Sequence, residues 1–278
     1  MHKVIELFGQ YTEKSNSDWQ KITSEQLCPF SKKKCFKVRK SSPETAIGTC
    51  NVRYGTNEES VIICPNRLLQ NHKVFIDCLH LLHLHQPGND IHIIPELSIP
   101  GGSVDFIVAS VNNGKVVDFV GIEFQTLDTT GSVWQSRQEF LSSIGIKTEP
   151  YDDTKSFGIN WKMTAKTILV QMHHKIATFE NLNKHLVLII QDALLDYMRK
   201  EFDFSDVHNP ALPGDSLQFH AYSFMETKEC TLSLKERIST DSLGMSKCLG
   251  LNAEAKIELK TILELIEKKI SPENLLIV

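Results

Sequence analysis

The sequence predicts an α/β fold in which a mixed central sheet is flanked by helices. Residues 186–190, Leu-Val-Leu-Ile-Ile, form an aliphatic run without polar alternation, which is typical of a strand buried on both faces. Segments with strand patterns also interleave with segments of helical periodicity, an order that places helices on the faces of a sheet. The composition, 41% hydrophobic and 23% charged over 278 residues, is ordinary for a globular protein with a sizeable core.

The first third of the chain predicts little regular structure. Residues 1–27 have a partly helical pattern, whereas residues 28–67 are rich in Lys, Ser, Gly and Pro and are expected to be irregular. Apolar residues at helical spacing predict a helix over residues 68–86, and Pro87-Gly88 ends it. Residues 91–94 predict a short strand.

A β-hairpin is predicted next. Residues 103–109 and 116–125 both have strand patterns, and the second of them is strongly apolar. Asn112-Asn113-Gly114 lies between them and favours a tight turn, because Asn and Gly tolerate positive φ.

The remaining elements alternate between helix and strand patterns. A helix over residues 253–269 carries an apolar stripe at i, i+3, i+4 and i+7 spacing. Before it, the patterns predict helices over residues 134–142, 161–179 and 193–200, the central strand at 186–190, and a late strand at 217–224.

Acidic residues on the hairpin predict a site for a divalent cation. Because side chains alternate between the two faces of a strand, Glu123 and Gln125 share one face, and the hairpin can bring Asp105 beside Glu123. Two carboxylates can hold Mg²⁺ through oxygen ligands, and Glu96 from the preceding segment could supply a third. The alternative is an edge hairpin whose acids are simply solvated. The apolar flanking residues favour the metal site, because ionised groups in an interior strand need compensation.

Four cysteines occur in the N-terminal segment, with the spacing C-x6-C-x14-C-x13-C: Cys28, Cys35, Cys50 and Cys64. They are either buried free thiols or the four ligands of one tetrahedral ion. A metal ion bound by all four cysteines would explain how a polar segment becomes ordered. We therefore divide the chain into an N-terminal segment with a four-cysteine metal site, residues 1–67, and a core, residues 68–278.

Positive charge is concentrated near the N-terminus, although the whole chain carries −4. Residues 1–70 contain 11 Lys or Arg against 7 Asp or Glu, whereas residues 71–278 contain 19 against 27. Between Lys32 and Arg53 the only acidic residue is Glu44. Such a patch can contact phosphates, and a solvated basic loop is the alternative.

The acidic residues and the cysteines together carry a family resemblance. The pattern Asp105-x17-Glu123-x-Gln125 resembles the PD-(D/E)xK nuclease signature, with Gln125 where a lysine usually stands. The runs Gly-Ile-Glu-Phe-Gln-Thr-Leu-Asp at 121–128 and Gly-Ile-Asn-Trp-Lys-Met at 158–163, with the four cysteines, resemble more specifically the NotI family of type II restriction endonucleases. The resemblance extends from about Cys28 to about Tyr222.

This resemblance implies a restriction-endonuclease-like core that cleaves both strands of DNA at a short, GC-rich palindrome with Mg²⁺. It implies that Asp105 and Glu123 are the magnesium ligands, that Gln125 and Glu96 complete the catalytic set, and that the cysteines hold a structural iron or zinc ion. An amide is not a base at neutral pH. Gln125 would therefore orient water or ligate the metal, and deprotonation would rest on the metal, on a second metal ion or on Glu96.

The expected partner is double-stranded DNA. Cutting both strands with one active site per chain favours a homodimer, with an interface on the helix at 161–179 or the helix at 253–269. Contacts to guanine require Arg or Lys in the major groove. The candidates are Lys34, Lys37, Arg39, Lys40 and Arg137.

Two functions from other classes stay open at this level. One is a catalytically inactive DNA-binding protein with a nuclease fold, which the glutamine at position 125 makes reasonable. The other is a cysteine-metal interaction module with acidic strands. The sequence has no membrane-spanning apolar run and no signal-peptide core, and it has seven cysteines. We therefore expect a cytoplasmic protein with no membrane association.

Overall fold

The computed structural model describes residues 2–14, 16–152, 154, 156–226, 230–251, 263, 264 and 268. Within this part the strands are β1 Val4–Leu7, β2 Gln10–Tyr11, β3 Val38–Arg39, β4 Ser42–Ala46, β5 Thr49–Tyr54, β6 Glu59–Ile62, β7 Asp90–Ile99, β8 Gly102–Asn112, β9 Lys115–Gln125, β10 Thr129–Thr130, β11 Gly158–Ile159, β12 His185–Gln191, β13 Leu217–Met225 and β14 Thr231–Thr240. The α-helices are α1 Trp19–Glu25, α2 Lys73–Ile76, α3 Trp134–Ser143, α4 Trp161–Asn181, α5 Asp192–Glu201 and α6 Ser242–Cys248.

The centre of the molecule is a six-stranded mixed sheet in the order β14-β13-β12-β9-β8-β7. Strands β7, β8 and β9 form an antiparallel meander, β9, β12 and β13 run parallel, and β14 is antiparallel to β13. Helix α4 connects β9 to β12, and α5 connects β12 to β13, as parallel neighbours require. The predicted α/β architecture with a mixed sheet flanked by helices is confirmed.

Strand β12 is buried along its whole length, as its sequence predicts. Leu186, Leu188 and Ile190 pack in one apolar cluster with α4 and α5. Val187 and Ile189 belong to a second cluster on the opposite face, together with residues of the 65–82 segment. The lack of polar alternation therefore reflects two covered faces.

The predicted hairpin is present, and both of its strands are longer than expected. Asn112 pairs with Lys115, so the chain turns at Asn113 and Gly114. These two residues have φ values of 49° and 74°, which Asn and Gly adopt at little cost. A register shift between Ser110 and Val111 then leaves Val117 without a partner on β8, and this shift places Asp105 opposite Glu123 instead of Ile122.

The prediction of one helix over residues 68–86 is wrong. This region contains a 3₁₀ segment at Pro65–His72, the short helix α2, and a 3₁₀ turn at Leu79–Leu81. Asn71 and His72 have φ values of 53° and 54°, in the left-handed region, and this interrupts the helical backbone. The apolar residues of the segment still face the sheet, but through separate turns.

The expectation of an irregular segment over residues 28–67 is also wrong. Strands β1, β2, β5 and β6 form a second sheet of four strands in the order β2-β1-β5-β6. Val52, Val61 and Ile63 of this region are buried in the same cluster as the central sheet. The sequence analysis also missed β14 and α6.

The helices and strands predicted in the second half of the chain otherwise match α3, α4, α5 and β13 closely. In α4, Ile168, Leu169, Met172 and Ile176 are buried as expected, whereas Met163 is exposed. Of the helix predicted at 253–269, only residues 263, 264 and 268 are described, so the prediction lies almost wholly outside the described residues. Among the described helices, none combines the length and the hydropathy needed to cross a lipid bilayer.

Candidate active site

Asp105 and Glu123 occupy adjacent positions on the neighbouring strands β8 and β9. Phe106 pairs with Ile122, and the next position along this register holds the two acids. The backbone N–H of Phe124 donates to Asp105 Oδ2 at 2.8 Å. The structure therefore brings together the two residues that the sequence analysis singled out, on the face that α4 covers.

Glu96 joins this cluster from the edge strand β7. Pro95 pairs with Phe106 and Leu97 pairs with Val104, so Glu96 lies beside Asp105. The side chain of Glu96 is exposed, and its backbone has a left-handed φ of 50°. Burial raises the pKa of Asp105, and the negative charge of Glu96 raises it further, while the Phe124 N–H and Lys175 oppose the shift.

A lysine that the sequence analysis missed completes the cluster. Lys175 Nζ on helix α4 donates to Glu123 Oε1 at 2.6 Å, and the side chains of both residues are less than a tenth exposed. One signal was available in the sequence. Lys175 follows Met172 by three residues and precedes Phe179 by four, so it lies in the apolar stripe that faces the sheet.

Glycines allow helix α4 to approach the strands at this point. A Cβ atom at Gly121 would lie 2.3 Å from the Phe179 ring, and one at Gly101 would lie 2.4 Å from the His174 carbonyl oxygen. A Cβ atom at Gly102 would lie 3.2 Å from Lys175 Cε. The close packing sets the distance at which the lysine reaches Glu123.

The electrostatics of the cluster favour a bound cation. Burial raises the pKa of Glu123 to about 7, the charge of Asp105 adds to this shift, and the hydrogen bond and charge of Lys175 oppose it. Asp105 and Glu123 therefore share one lysine, and Glu96 adds further negative charge beside Asp105. A divalent cation would offset the remaining negative charge, so the donors fit Mg²⁺.

Gln125 lies on the same strand face as Glu123, two residues further along β9. Its Nε2 donates to the backbone oxygen of Thr126 at 2.6 Å. This bond uses one of the two N–H donors of the amide, so the second N–H and the side-chain oxygen are available to other partners.

The four N-terminal cysteines border one small cavity. Its free volume is about 10 Å³, roughly one water-sized sphere. The Ser31 N–H and the Asn66 amide are directed at Cys28 Sγ, at 3.5 Å and 3.9 Å. A hydrogen bond from Cys50 lowers the pKa of the Cys64 thiol to about 6, despite burial, and the charge of Lys37 acts in the same direction. Burial raises the pKa of the Cys35 thiol, and the hydrogen bond to Cys64 together with burial raises that of Cys50, so of these three thiols Cys64 is the one that favours the thiolate form that binds metal ions.

Neither site is a complete metal-binding group of three or more His, Cys, Asp or Glu side chains among the described residues. For the acidic cluster this agrees with magnesium chemistry, because Mg²⁺ is usually held by one or two carboxylates together with waters and substrate phosphates. For the cysteines, ligation would require the four sulfur atoms to draw together.

The predicted DNA contacts differ in exposure. Lys34 and Lys40 are exposed, whereas the Lys37 ammonium donates to the backbone oxygen of Ile63. The guanidinium groups of Arg39 and Arg137 lie 4.2 Å and 4.5 Å from the ring centre of Trp134.

Arg137 is 5% exposed, and burial lowers its pKa to about 10. In this arrangement Arg137 packs inside the chain, so the geometry favours Lys34 and Lys40 for surface contacts.

Comparison with known proteins agrees with this architecture. The family model described as restriction endonuclease NotI matches residues 14–229, a span that includes the four N-terminal cysteines and the whole acidic cluster. A comparison with curated proteins finds no match. The family match covers most of the chain and confirms the resemblance carried by the sequence motifs. The chain therefore belongs to the restriction endonuclease NotI family and is a type II restriction endonuclease, a site-specific deoxyribonuclease that hydrolyses phosphodiester bonds of double-stranded DNA.

Proposed function

We propose that this restriction endonuclease depends on Mg²⁺ and that its active site is the cluster of Glu96, Asp105, Glu123 and Gln125. The observation that carries the proposal is the pairing of Asp105 and Glu123 on adjacent strands, with a surplus of negative charge that one lysine does not balance. Family membership supports an active enzyme over the inactive DNA-binding alternative.

In this proposal Asp105 and Glu123 hold the magnesium ion, and the exposed Glu96 is the third carboxylate. When bound, Mg²⁺ supplies positive charge against the phosphate and promotes attack by water. The Phe124 N–H fixes the Asp105 carboxylate, and Lys175 fixes that of Glu123.

Gln125 and Glu96 have separate roles toward the attacking water: Gln125 orients it and Glu96 accepts its proton. The Gln125 side-chain oxygen accepts a hydrogen bond from the water, while the bond from its amide nitrogen to Thr126 orients the side chain. Glu96 is exposed and ionisable, so it receives the proton that the water loses as it attacks.

The four cysteines are proposed to hold a structural iron or zinc ion. Cys28, Cys35, Cys50 and Cys64 meet at one cavity although they come from distant points of the N-terminal segment. Drawing the sulfur atoms around an ion would stabilise the loop that carries the exposed Lys34 and Lys40. These lysines would then contact DNA phosphates from an ordered surface.

We further propose a homodimer that acts on a GC-rich palindrome in the cytoplasm. The argument is that one active site per chain must cut two strands, which a two-fold axis through the DNA site allows. Sedimentation at micromolar concentration tests the dimer, and a single species at the chain mass of 31.5 kDa would contradict it.

The experiment for the active site is digestion of large, GC-rich genomic DNA with Mg²⁺ or with EDTA. We expect discrete fragments from the wild type with Mg²⁺ only. Glu123→Ala is expected to give no fragments, because one of the two principal metal ligands is lost. Glu139→Ala, which changes an exposed glutamate on α3, is the matched control and should cut normally.

Two outcomes would overturn the proposal. One is cutting by the wild type in EDTA, which would remove the magnesium requirement. The other is normal cutting by Glu123→Ala, which would place the active site elsewhere.

A further inference from the structure

We infer that Lys175 is a catalytic residue that contacts the scissile phosphate, so that helix α4 supplies the positive charge missing at position 125. The inference rests on the proposed function of the acidic cluster. Lys175 Nζ lies 2.6 Å from Glu123 Oε1, at the point where the proposed magnesium ligands meet. A cation at this position faces any phosphate that is bound between the carboxylates.

The hydrogen bonding of Lys175 is incomplete in the described part of the chain. An ammonium group has three donors, and the hydrogen bond to Glu123 uses one of them. The side chain is only 8% exposed, so bulk solvent does not readily satisfy the other two donors. Bound phosphate oxygens would satisfy them, and buried polar groups require such partners.

A second ion pair between a lysine and an acid of β9 serves as a comparison, because it lies away from the proposed site. Lys184 Nζ also lies 2.6 Å from a carboxylate, that of Asp118 on β9. Asp118 accepts hydrogen bonds from the N–H groups of Leu84 and Phe119 as well, and the Lys184 side chain is 21% exposed. Lys184 also makes one hydrogen bond to a carboxylate, but it is more exposed than Lys175, so solvent can reach its remaining donors more readily.

Two glycines opposite Lys175 leave space for helix α4 and for the lysine side chain. Gly101, in the turn between β7 and β8, leaves room for the helix backbone, and Gly102, the first residue of β8, leaves room for Lys175 Cε. Thr178 Oγ1 on the next helical turn donates to the Pro100 oxygen at 2.8 Å. Thus the lysine is fixed against the same hairpin that carries Asp105.

The chemical role follows from charge. In hydrolysis the oxygen of water forms a bond to phosphorus, and one ester P–O bond breaks. The water loses a proton to Glu96, and the leaving oxygen takes a proton from solvent. Lys175 keeps its own protons throughout and stabilises the negative charge that grows on the phosphate oxygens.

The test compares Lys175→Met with the matched control Lys184→Met. Single-turnover cleavage is measured with Mg²⁺, and duplex affinity is measured with EDTA. We expect Lys175→Met to cut at least about 100-fold more slowly while duplex affinity in EDTA stays within about 3-fold of wild type. Lys184→Met should lower the melting temperature and leave the cleavage rate within about 3-fold of wild type.

Two further variants separate catalysis from folding. Lys175→Arg keeps the charge and is expected to retain more activity than Lys175→Met. Adding Gln125→Lys to Lys175→Met restores a lysine on the same strand face as Glu123, and we expect it to recover at least about 10-fold of the lost rate. A purely structural lysine would not be rescued from β9.

Cleavage by Lys175→Met within about 3-fold of wild type would overturn the inference. Loss of duplex affinity in step with the rate, without rescue by Gln125→Lys, would make Lys175 a structural residue. If Lys175→Met does not fold, the cleavage rate of Lys175→Arg tests the inference instead. Complete loss of activity in a folded Lys175→Arg protein would contradict the claim that the positive charge of Lys175 stabilises the phosphate. Normal cleavage by Glu123→Ala would instead refute the proposed active site itself.

Discussion

At the scale of single residues, Glu123 is the side chain with the most unusual environment. It is 4% exposed, and burial raises its pKa to about 7 from the ordinary value of 4.5. A carboxyl group whose pKa is higher in the folded state holds its proton more tightly there than in the unfolded chain. In the absence of a bound cation, the contribution of Glu123 to the free energy of unfolding therefore falls as the pH rises from about 4.5 through about 7.

The corresponding prediction concerns Glu123→Gln in EDTA. Because glutamine does not ionise, the variant loses this pH dependence. We expect the free energy of unfolding of the variant, relative to wild type, to increase between pH 5 and pH 8. Urea denaturation at the two pH values measures it.

Glu139→Gln is the control, and its stability difference should not change with pH because this side chain is exposed. A constant difference for Glu123→Gln would show that Glu123 is not held with a raised pKa.

Sequence reasoning found some residues of the candidate site and missed one, for a physical reason. Asp105 and Glu123 lie on the two strands of one hairpin, so strand patterns and the turn residues place them near each other. Their final pairing also needs the register shift between Ser110 and Val111, which the sequence analysis did not predict. Lys175 comes from a helix that crosses the sheet, and only tertiary packing decides which helical residue reaches Glu123. A lysine within an apolar helical stripe was the available clue.

At the scale of elements, the cysteine-lined cavity joins separate parts of the N-terminal segment. Cys50 lies on β5, Cys64 directly follows β6, and Cys28 and Cys35 flank the lysine-rich loop. Phe36, directly after this loop, is 55% exposed. We propose that a metal ion bound by the four cysteines orders the loop.

We predict that Cys64→Ser lowers the iron or zinc content of the purified protein and the hydrogen-exchange protection of residues 28–50. The reason is that a hydroxyl replaces a thiolate ligand, so the metal ion that orders the loop binds more weakly. Elemental analysis measures the metal, and exchange mass spectrometry measures protection.

Cys248→Ser is the control, because Cys248 is buried on α6, away from the cavity. Wild-type protein without stoichiometric metal, or equal metal loss in the two variants, would contradict the proposal that the four cysteines bind a structural metal ion.

Elements differed in how well the sequence predicted them. Helix α4 and strand β12 carry long, consistent patterns, and both were correct within about two residues. The region 68–86 has apolar residues at helical spacing, but left-handed residues at Asn71 and His72 divide it into short turns. The strands of the N-terminal sheet are short and rich in polar residues, so pairing with one another, rather than local pattern, defines them.

At the scale of the whole molecule, one mixed sheet organises the catalytic proposal. The meander of β7, β8 and β9 supplies Glu96, Asp105, Glu123 and Gln125, and the crossover helix α4 supplies Lys175. The exposed lysines proposed to meet DNA lie next to the second sheet, Lys34 directly before Cys35 and Lys40 between β3 and β4. The fold class was predictable from the order of patterns, whereas the packing of the N-terminal sheet on the core required the structure.

The most direct test of the central claim is the Mg²⁺-dependent cleavage rate of Asp105→Asn beside Asp118→Asn. Both residues are acids on the central hairpin, and Asp118 pairs with Lys184 away from the proposed site. We predict that Asp105→Asn binds duplex DNA in EDTA like wild type but cuts at least about 100-fold more slowly, whereas Asp118→Asn cuts within about 3-fold of wild type. Cleavage by Asp105→Asn at the wild-type rate would contradict the assignment of the active site to this cluster.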